Sequence, residues 1–184
     1  GIGPGESGIF PMLVALVLLV ASITTAILAA PFQFLMPALV VDVYGRGPEA
    51  MGILAAATGI GALVGSLMVA STEFRRRGLL MIGASLVTGV SLLLVAVLPF
   101  FVAALVLMIP LGLGATARMT INQALLIEVV EEHYRGRVMS VFMLSWGLMP
   151  IGVLPAGLLA DWAGVQVSFG AMGALLIGVT VLIF

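Results

Sequence analysis

The chain has 184 residues, of which 62% are hydrophobic and only 8% are charged, and its formal net charge at pH 7 is −1. This composition excludes an ordinary soluble domain and indicates an integral membrane protein. The near-neutral charge argues against a nucleic-acid partner, and the absence of cysteine excludes disulfides, thiolate metal sites and a cysteine nucleophile.

The chain begins with a short Gly/Pro-rich stretch, GIGPGESG, which predicts that residues 1–8 are the end of a cytoplasmic linker. A helix needs about 20 apolar residues to cross the hydrocarbon core, so the lengths of the charge-free runs give the number of spans. The run 78–117 is too long for one helix and is divided at Pro99. The sequence therefore predicts an all-α protein with six transmembrane helices within 9–184, at about 9–36, 49–70, 78–98, 100–122, 137–160 and 165–184.

The distribution of arginine predicts the orientation of the spans, because cytoplasmic loops carry the excess of positive charge. The loops after the second and fourth spans hold Arg75, Arg76, Arg77, Arg135 and Arg137, whereas the loops after the first, third and fifth hold only Arg46. Both arginine-rich loops are therefore expected in the cytoplasm, and with six spans both termini lie there too.

The second span contains GIGALVGS, in which Gly61 and Gly65 have the GxxxG spacing that lets a neighbouring helix approach closely. We expect Gly59, Gly61 and Gly65 to serve helix packing. Glycine and proline are frequent in the other spans as well, which fits the bendable helices of transporters. Since both residues are common in membrane helices generally, packing without motion is the alternative interpretation.

Arg118 is the one ionisable residue that we expect inside a span, near the cytoplasmic end of the fourth. It either extends towards the headgroups or Glu128, or lines a cavity and meets an anionic substrate or a carboxylate of another half. Polar residues on the spans complete the candidate substrate cavity: Thr24, Thr25, Gln33, Thr58, Arg118, Asn122, Ser145 and Trp146.

Catalytic and metal-binding motifs are missing from the sequence. The single histidine, His133, lies in a charged loop, and there is neither an HExxH motif nor a P-loop. We therefore expect neither an enzyme nor a cofactor or metal site.

A short stretch, VVEEHYRGRVMS at 129–140, gathers much of the charge of this apolar chain. We expect Arg135 and Arg137 to anchor the helix ends, Gly136 to permit a sharp turn, and Glu131 and Glu132 to pair with these arginines or with another half. The stretch is then a cytoplasmic gate, or alternatively a topology anchor alone. The full set of gate or topology residues is Glu73, Arg75, Arg76, Arg77, Glu128, Glu131, Glu132, Arg135, Gly136 and Arg137.

With these residues in place, the chain resembles the major facilitator superfamily, and within it the macrolide and enterobactin exporters. RGRVMS at 135–140 and GLMPIGVLPAGLLADWAG at 147–164 resemble the region that joins helices ten and eleven, followed by helix eleven. LMPALVVDVYGRGPEAMGILAAATGIGALVGSL at 35–67 is similar to the end of helix seven and all of helix eight. The chain departs from the pattern at Glu131, where the group often has proline, and at Glu73, which stands in place of an aspartate.

The resemblance implies the C-terminal half of a twelve-helix exporter in a bacterial inner membrane, built as an inverted three-plus-three repeat. Such a protein moves a small amphipathic molecule outward by proton antiport, with its coupling carboxylate in the missing N-terminal half. Its partners are the lipid bilayer, the substrate and that half. The alternatives are a half-size protein that works as a homodimer with a second copy, and a membrane subunit without transport of its own.

Overall fold

The computed structural model describes residues 31–71, 77–129, 133 and 135–183, and the regular elements of these residues are all helices, which confirms the all-α class. Most of the first expected span, including Thr24 and Thr25, lies outside the described residues. In chain order the elements are α1 (Phe32–Ala38), a π-helical segment (Leu39–Val43), α2 (Pro48–Ala70), α3 (Arg77–Val97), α4 (Phe101–Val129), α5 (Arg135–Gly147), α6 (Met149–Ala163) and α7 (Val165–Ile183).

Among the described residues, five segments are long and apolar enough to cross a membrane. They correspond to α2, α3, α4, α5 together with α6, and α7, and they overlap the spans expected from the charge-free runs. The apolar helix Phe32–Val43 is shorter. The chain is thus a multi-pass membrane protein in which the described helices follow each other through short connections.

The first described helix does not end at Met36, where the sequence analysis placed its end. It continues through Pro37 to Ala38 and then widens into the π-helical segment, in which the Tyr44 N–H donates to the Leu39 carbonyl at 3.3 Å. A proline inside a membrane helix can be accommodated because local π-type hydrogen bonding satisfies the backbone groups that it frees. The helical chain finally ends at Gly45, whose φ of +58° is favourable for glycine.

The expected single span at 137–160 consists of two helices, since α5 ends at Gly147 and α6 begins at Met149. Pro150 occupies the first turn of α6, where its missing N–H leaves no hydrogen bond unmade. The break therefore has a local cause in the sequence. Gly164, with a φ of +98°, then reverses the chain between α6 and α7.

Helix α4 lies at the centre of the described bundle, with its most extensive contact to α2 and a further one to α3, while α3 also packs along α7. Buried apolar side chains form one cluster that joins α1, α2, α3, α4, α6 and α7, with Leu39, Leu54 and Met108 among its members. A second cluster, which we call the inner cluster, contains Val69, Met81, Ala84, Ala117, Ile121 and Phe142. The outside of the bundle carries large exposed apolar side chains, as contact with lipid requires.

Candidate functional site

Glycines set the contact between α2 and α4. A Cβ atom on Gly61 would collide with the Ile109 carbonyl oxygen, and one on Gly65 would lie 2.5 Å from the Leu113 carbonyl oxygen. Both helices therefore approach each other backbone to backbone, as the GxxxG spacing predicts. Gly59, which we expected in the same contact, is exposed and has no such neighbour within 4 Å in the described structure.

The order of the spans fixes the relative direction of α2 and α4, because α2, α3 and α4 are successive membrane-spanning helices that alternate in direction. Gly61 lies against Ile109, and four residues further along both chains Gly65 lies against Leu113. Hence α2 and α4 run parallel, and their last residues, Ala70 and Val129, lie at the same end of the bundle, which we call the inner end.

The described gate residues lie at this inner end. Arg135, Gly136 and Arg137 form the exposed first turn of α5. The sharp turn expected at Gly136 is wrong, because this residue is helical and positive φ values occur among the described residues at Gly45 and Gly164 instead.

Of the other predicted gate residues, two belong to described helices. Arg77 is the first residue of α3, and Glu128 lies in the last turn of α4. Outside the described residues lie Glu73, Arg75, Arg76, Glu131 and Glu132.

Arg118 and Asn122 form the most unusual polar feature of the bundle. They are four residues apart on α4 and therefore share a face of the helix. Arg118 is only 6% exposed and Asn122 only 4%. Within the described part of the chain, the Arg118 Nε and Nη1 atoms have no hydrogen-bond partner. The side chain is thus buried within the protein, and such an arrangement can hold an anion.

The other candidates for a substrate cavity are dispersed. Thr58 is half-buried on α2, and its hydroxyl donates to the Leu54 carbonyl of its own helix at 2.9 Å. Gln33 is exposed on α1. Ser145 and Trp146 lie near the end of α5, and their side chains are outside the described set. The described structure therefore brings together Arg118 and Asn122 alone among the proposed cavity residues.

Buried hydroxyls on α3 were missed by the sequence analysis. Ser85, Thr88 and Ser91 recur at intervals of three residues and are at most 5% exposed. The Thr88 hydroxyl donates to the Ala84 carbonyl at 2.9 Å, and a Cβ on Gly114 of α4 would lie 2.5 Å from the same hydroxyl oxygen. The helical spacing of the three residues was the signal that could have identified this polar stripe.

A second feature not anticipated from the sequence lies at the end of the bundle opposite the inner end, which we call the outer end. There the segment after the π-helical segment contacts the start of α4. The rings of Tyr44 and Phe101 meet edge to face, with centroids 5.9 Å apart, and the Arg46 guanidinium carbon lies 4.4 Å from the Phe101 centroid. Burial raises the pKa of the Tyr44 phenol, which further favours its neutral form. The single arginine expected outside the cytoplasm is thus held on an aromatic ring.

Comparison with known proteins places the chain in a family. Residues 14–184 match the family model of the Major Facilitator Superfamily. The chain is 32% identical over 136 residues to the multidrug efflux pump Tap of Mycolicibacterium fortuitum, covering 72% of this chain and 33% of that protein. It is 30% identical over 156 residues to macrolide efflux protein A of Streptococcus pyogenes, covering 82% and 38%.

A third relative is the staphyloferrin A transporter of Staphylococcus aureus, 26% identical over 162 residues, which are 86% of this chain and 40% of that protein. The chain therefore spans a third to two fifths of the length of the curated relatives it matches. No solved structure matches the chain significantly.

Proposed function

The chain belongs to the Major Facilitator Superfamily, and we propose that it is the C-terminal six-helix half of an exporter of small amphipathic compounds, such as a drug or a siderophore. The observation that carries this proposal is the alignment of most of the chain with relatives named as efflux proteins. Those relatives have more than twice the matched length, and the additional length corresponds to an N-terminal half that completes the transporter. The protein then resides in a bacterial inner membrane with both termini in the cytoplasm.

Alternating access by rocking of the two halves is the mechanism that best fits the packing. Close backbone contacts between α2 and α4 make these helices a stiff unit that can move as one body. Discontinuities lie elsewhere, at the π-helical segment and at Leu148 between α5 and α6. Broken and π-bulged helices are frequent at functional sites, so these two places are where the unit would bend.

Proton antiport is the proposed source of energy, with the coupling carboxylate in the N-terminal half. The acidic residues of the described spans lie near helix ends, with Asp42, Glu49 and Asp161 towards the outer end and Glu128 towards the inner one. A proton carrier needs a carboxylate within the membrane, and the described helices offer none at such depth.

The inner-end charges are proposed as a cytoplasmic gate. In the outward-facing state Glu131 and Glu132 pair with Arg135, Arg137 or basic loops of the other half, and the pairs break when the protein opens inward. To test this, both arginines are replaced by glutamine in the full-length protein. Loss of transport with a normal topology, read by reporter fusions to the loops, supports the gate. Normal transport would indicate that the two arginines set the membrane topology and do not form a gate.

Transport by the full-length protein tests the export proposal directly. Everted membrane vesicles that contain it should accumulate a radiolabelled macrolide when energised, and a protonophore should abolish the accumulation. Vesicles without the protein are the control. Absence of energised accumulation across a panel of macrolides, dyes and siderophores would contradict the proposal. In that case crosslinking of this chain would distinguish a half-size homodimer from a subunit without transport.

A further inference from the structure

We propose that Arg118 and Asn122 bind a carboxylate group of the transported compound, so that the exporter prefers substrates that are anionic at one end. This inference rests on the export function proposed above and assigns a substrate class to it. Arg118 is 6% exposed and Asn122 is 4% exposed, and the two side chains are one turn apart on the central helix of the bundle.

Residues that flank Arg118 on α4 are apolar and buried. Its helix neighbours Ala117 and Ile121 are fully buried members of the inner cluster, which also contains Val69 of α2 and Phe142 of α5. A charge in such surroundings needs a counter-charge and hydrogen-bond acceptors. The Nε–H and Nη1–H groups of Arg118 donate to no acceptor in the described part of the protein, so the counter-charge must come from elsewhere.

Acidic residues of the described helices lie far from Arg118. Asp42, Glu49 and Asp161 belong to the outer end of the bundle, whereas Ala117, next to Arg118, clusters with Val69 in the last turn of α2. Glu128 is on the same helix, but ten residues of α-helix separate it from Arg118 by about 15 Å along the axis. That distance exceeds the combined reach of the two side chains.

The chemistry of the pair favours a carboxylate over other anions. A guanidinium presents parallel N–H donors in a planar fork that matches the two oxygens of a carboxylate, and an asparagine amide can add a further donor. Arg118 supplies one positive charge, which balances a carboxylate. A phosphate carries about −1.5 to −2 charges near neutral pH and would remain partly uncompensated among apolar side chains.

A matched pair of probes tests the inference on the purified full-length protein. Coumarin-3-carboxylate and its neutral carboxamide differ in the charged group alone, and thermal unfolding at increasing probe concentration gives an apparent affinity for each. The carboxylate should raise the unfolding temperature and the carboxamide should not. Arg118→Gln should weaken the carboxylate effect about tenfold or more, as expected from losing hydrogen bonds to a charged group. Gln123→Ala, beside the pair on α4, and Arg46→Gln, which removes a charge at the outer end, are the controls.

Two further variants keep the test decisive if Arg118→Gln does not fold. Arg118→Lys retains the charge but loses the planar fork, and Asn122→Ala removes the amide, so each should weaken carboxylate binding and leave the carboxamide unaffected. Equal protection by the two probes, or unchanged protection in these variants, overturns the inference. It is also overturned if Glu73→Gln or the double change Glu131→Gln and Glu132→Gln raises carboxylate affinity tenfold, because a loop carboxylate would then occupy Arg118.

Vesicle transport of a macrolide separates this inference from the export function on which it rests. Energised macrolide transport without any preference for the carboxylate probe overturns the inference and leaves export standing. A carboxylate preference that depends on Arg118, in a protein without energised transport of any compound, contradicts the export function while supporting the binding site.

Discussion

The contact between α2 and α4 at Gly65 gives the sharpest test of the helix packing. In Gly65→Ala the new Cβ would lie 2.5 Å from the Leu113 carbonyl oxygen and 3.1 Å from its Cα, whereas ordinary van der Waals contact begins at 3.4 Å. Since both atoms belong to the backbone of α4, no rotamer change relieves the collision and the helices must separate. Overpacking of this kind costs about 1–3 kcal/mol.

The same substitution elsewhere supplies the controls. Among the described residues, no atom of another helix lies within 4 Å of a Cβ added to Gly59 on α2 or Gly178 on α7. Alanine is a better helix former than glycine by about 1 kcal/mol. The free energy of unfolding of Gly59→Ala and of Gly178→Ala should therefore equal or exceed that of the parent protein.

Equilibrium unfolding of the full-length protein in mixed micelles, followed by far-ultraviolet circular dichroism, measures these differences. The unfolding free energy of Gly65→Ala should fall below that of the two control variants by about 1–3 kcal/mol, the overpacking cost, because all three variants gain the same helix propensity. Equal stabilities of the three variants, or a larger loss in Gly59→Ala, would refute the close parallel contact of α2 and α4.

Two other predictions concern the outer half of the bundle. The Ser168 hydroxyl donates to the Ala156 carbonyl of α6 at 2.7 Å, so Ser168→Ala should cost about 0.6 kcal/mol of unfolding free energy, and up to about 1.7. Thr180→Val, whose lost bond lies within α7, should cost less, and the reverse order would contradict this assignment. Trp162 is 94% exposed near the end of α6. In a Trp146→Phe protein its fluorescence should be quenched by lipids brominated near the headgroup, and quenching by aqueous acrylamide alone would show that it does not face lipid.

The fold class was predictable because apolar run length and arginine distribution are properties of the chain itself. Helices α2 and α3 begin and end close to the expected boundaries, and α4 begins close to its own, since Pro48 and Pro99 mark local breaks in the sequence. Helix α4 continues to Val129, beyond the end expected at 122. The end of the first helix was not predictable in this way. Pro37 interrupts hydrogen bonding in isolation, but the π-helical segment after it accommodates the loss and extends the helix to Val43.

The candidate site was predictable in its residues but not in its arrangement. Arg118 stood out as the one ionisable residue expected inside a span, yet its sequence position allowed it either to extend outward or to turn inward. Its low exposure shows that the folded protein buries the side chain, which the sequence alone does not determine. The spacing of Ser85, Thr88 and Ser91 was visible in the sequence, but only the packing of α3 shows that all three hydroxyls are buried.

The sequence by itself determined that the chain crosses a membrane repeatedly and which of its loops are basic, since transfer of side chains from water to lipid depends on residue type and run length. Only the tertiary structure decided which glycines meet another helix, because Gly59 and Gly65 have the same local sequence character and differ in what lies opposite them. The same holds for Arg118, whose burial depends on helices contributed by distant parts of the chain.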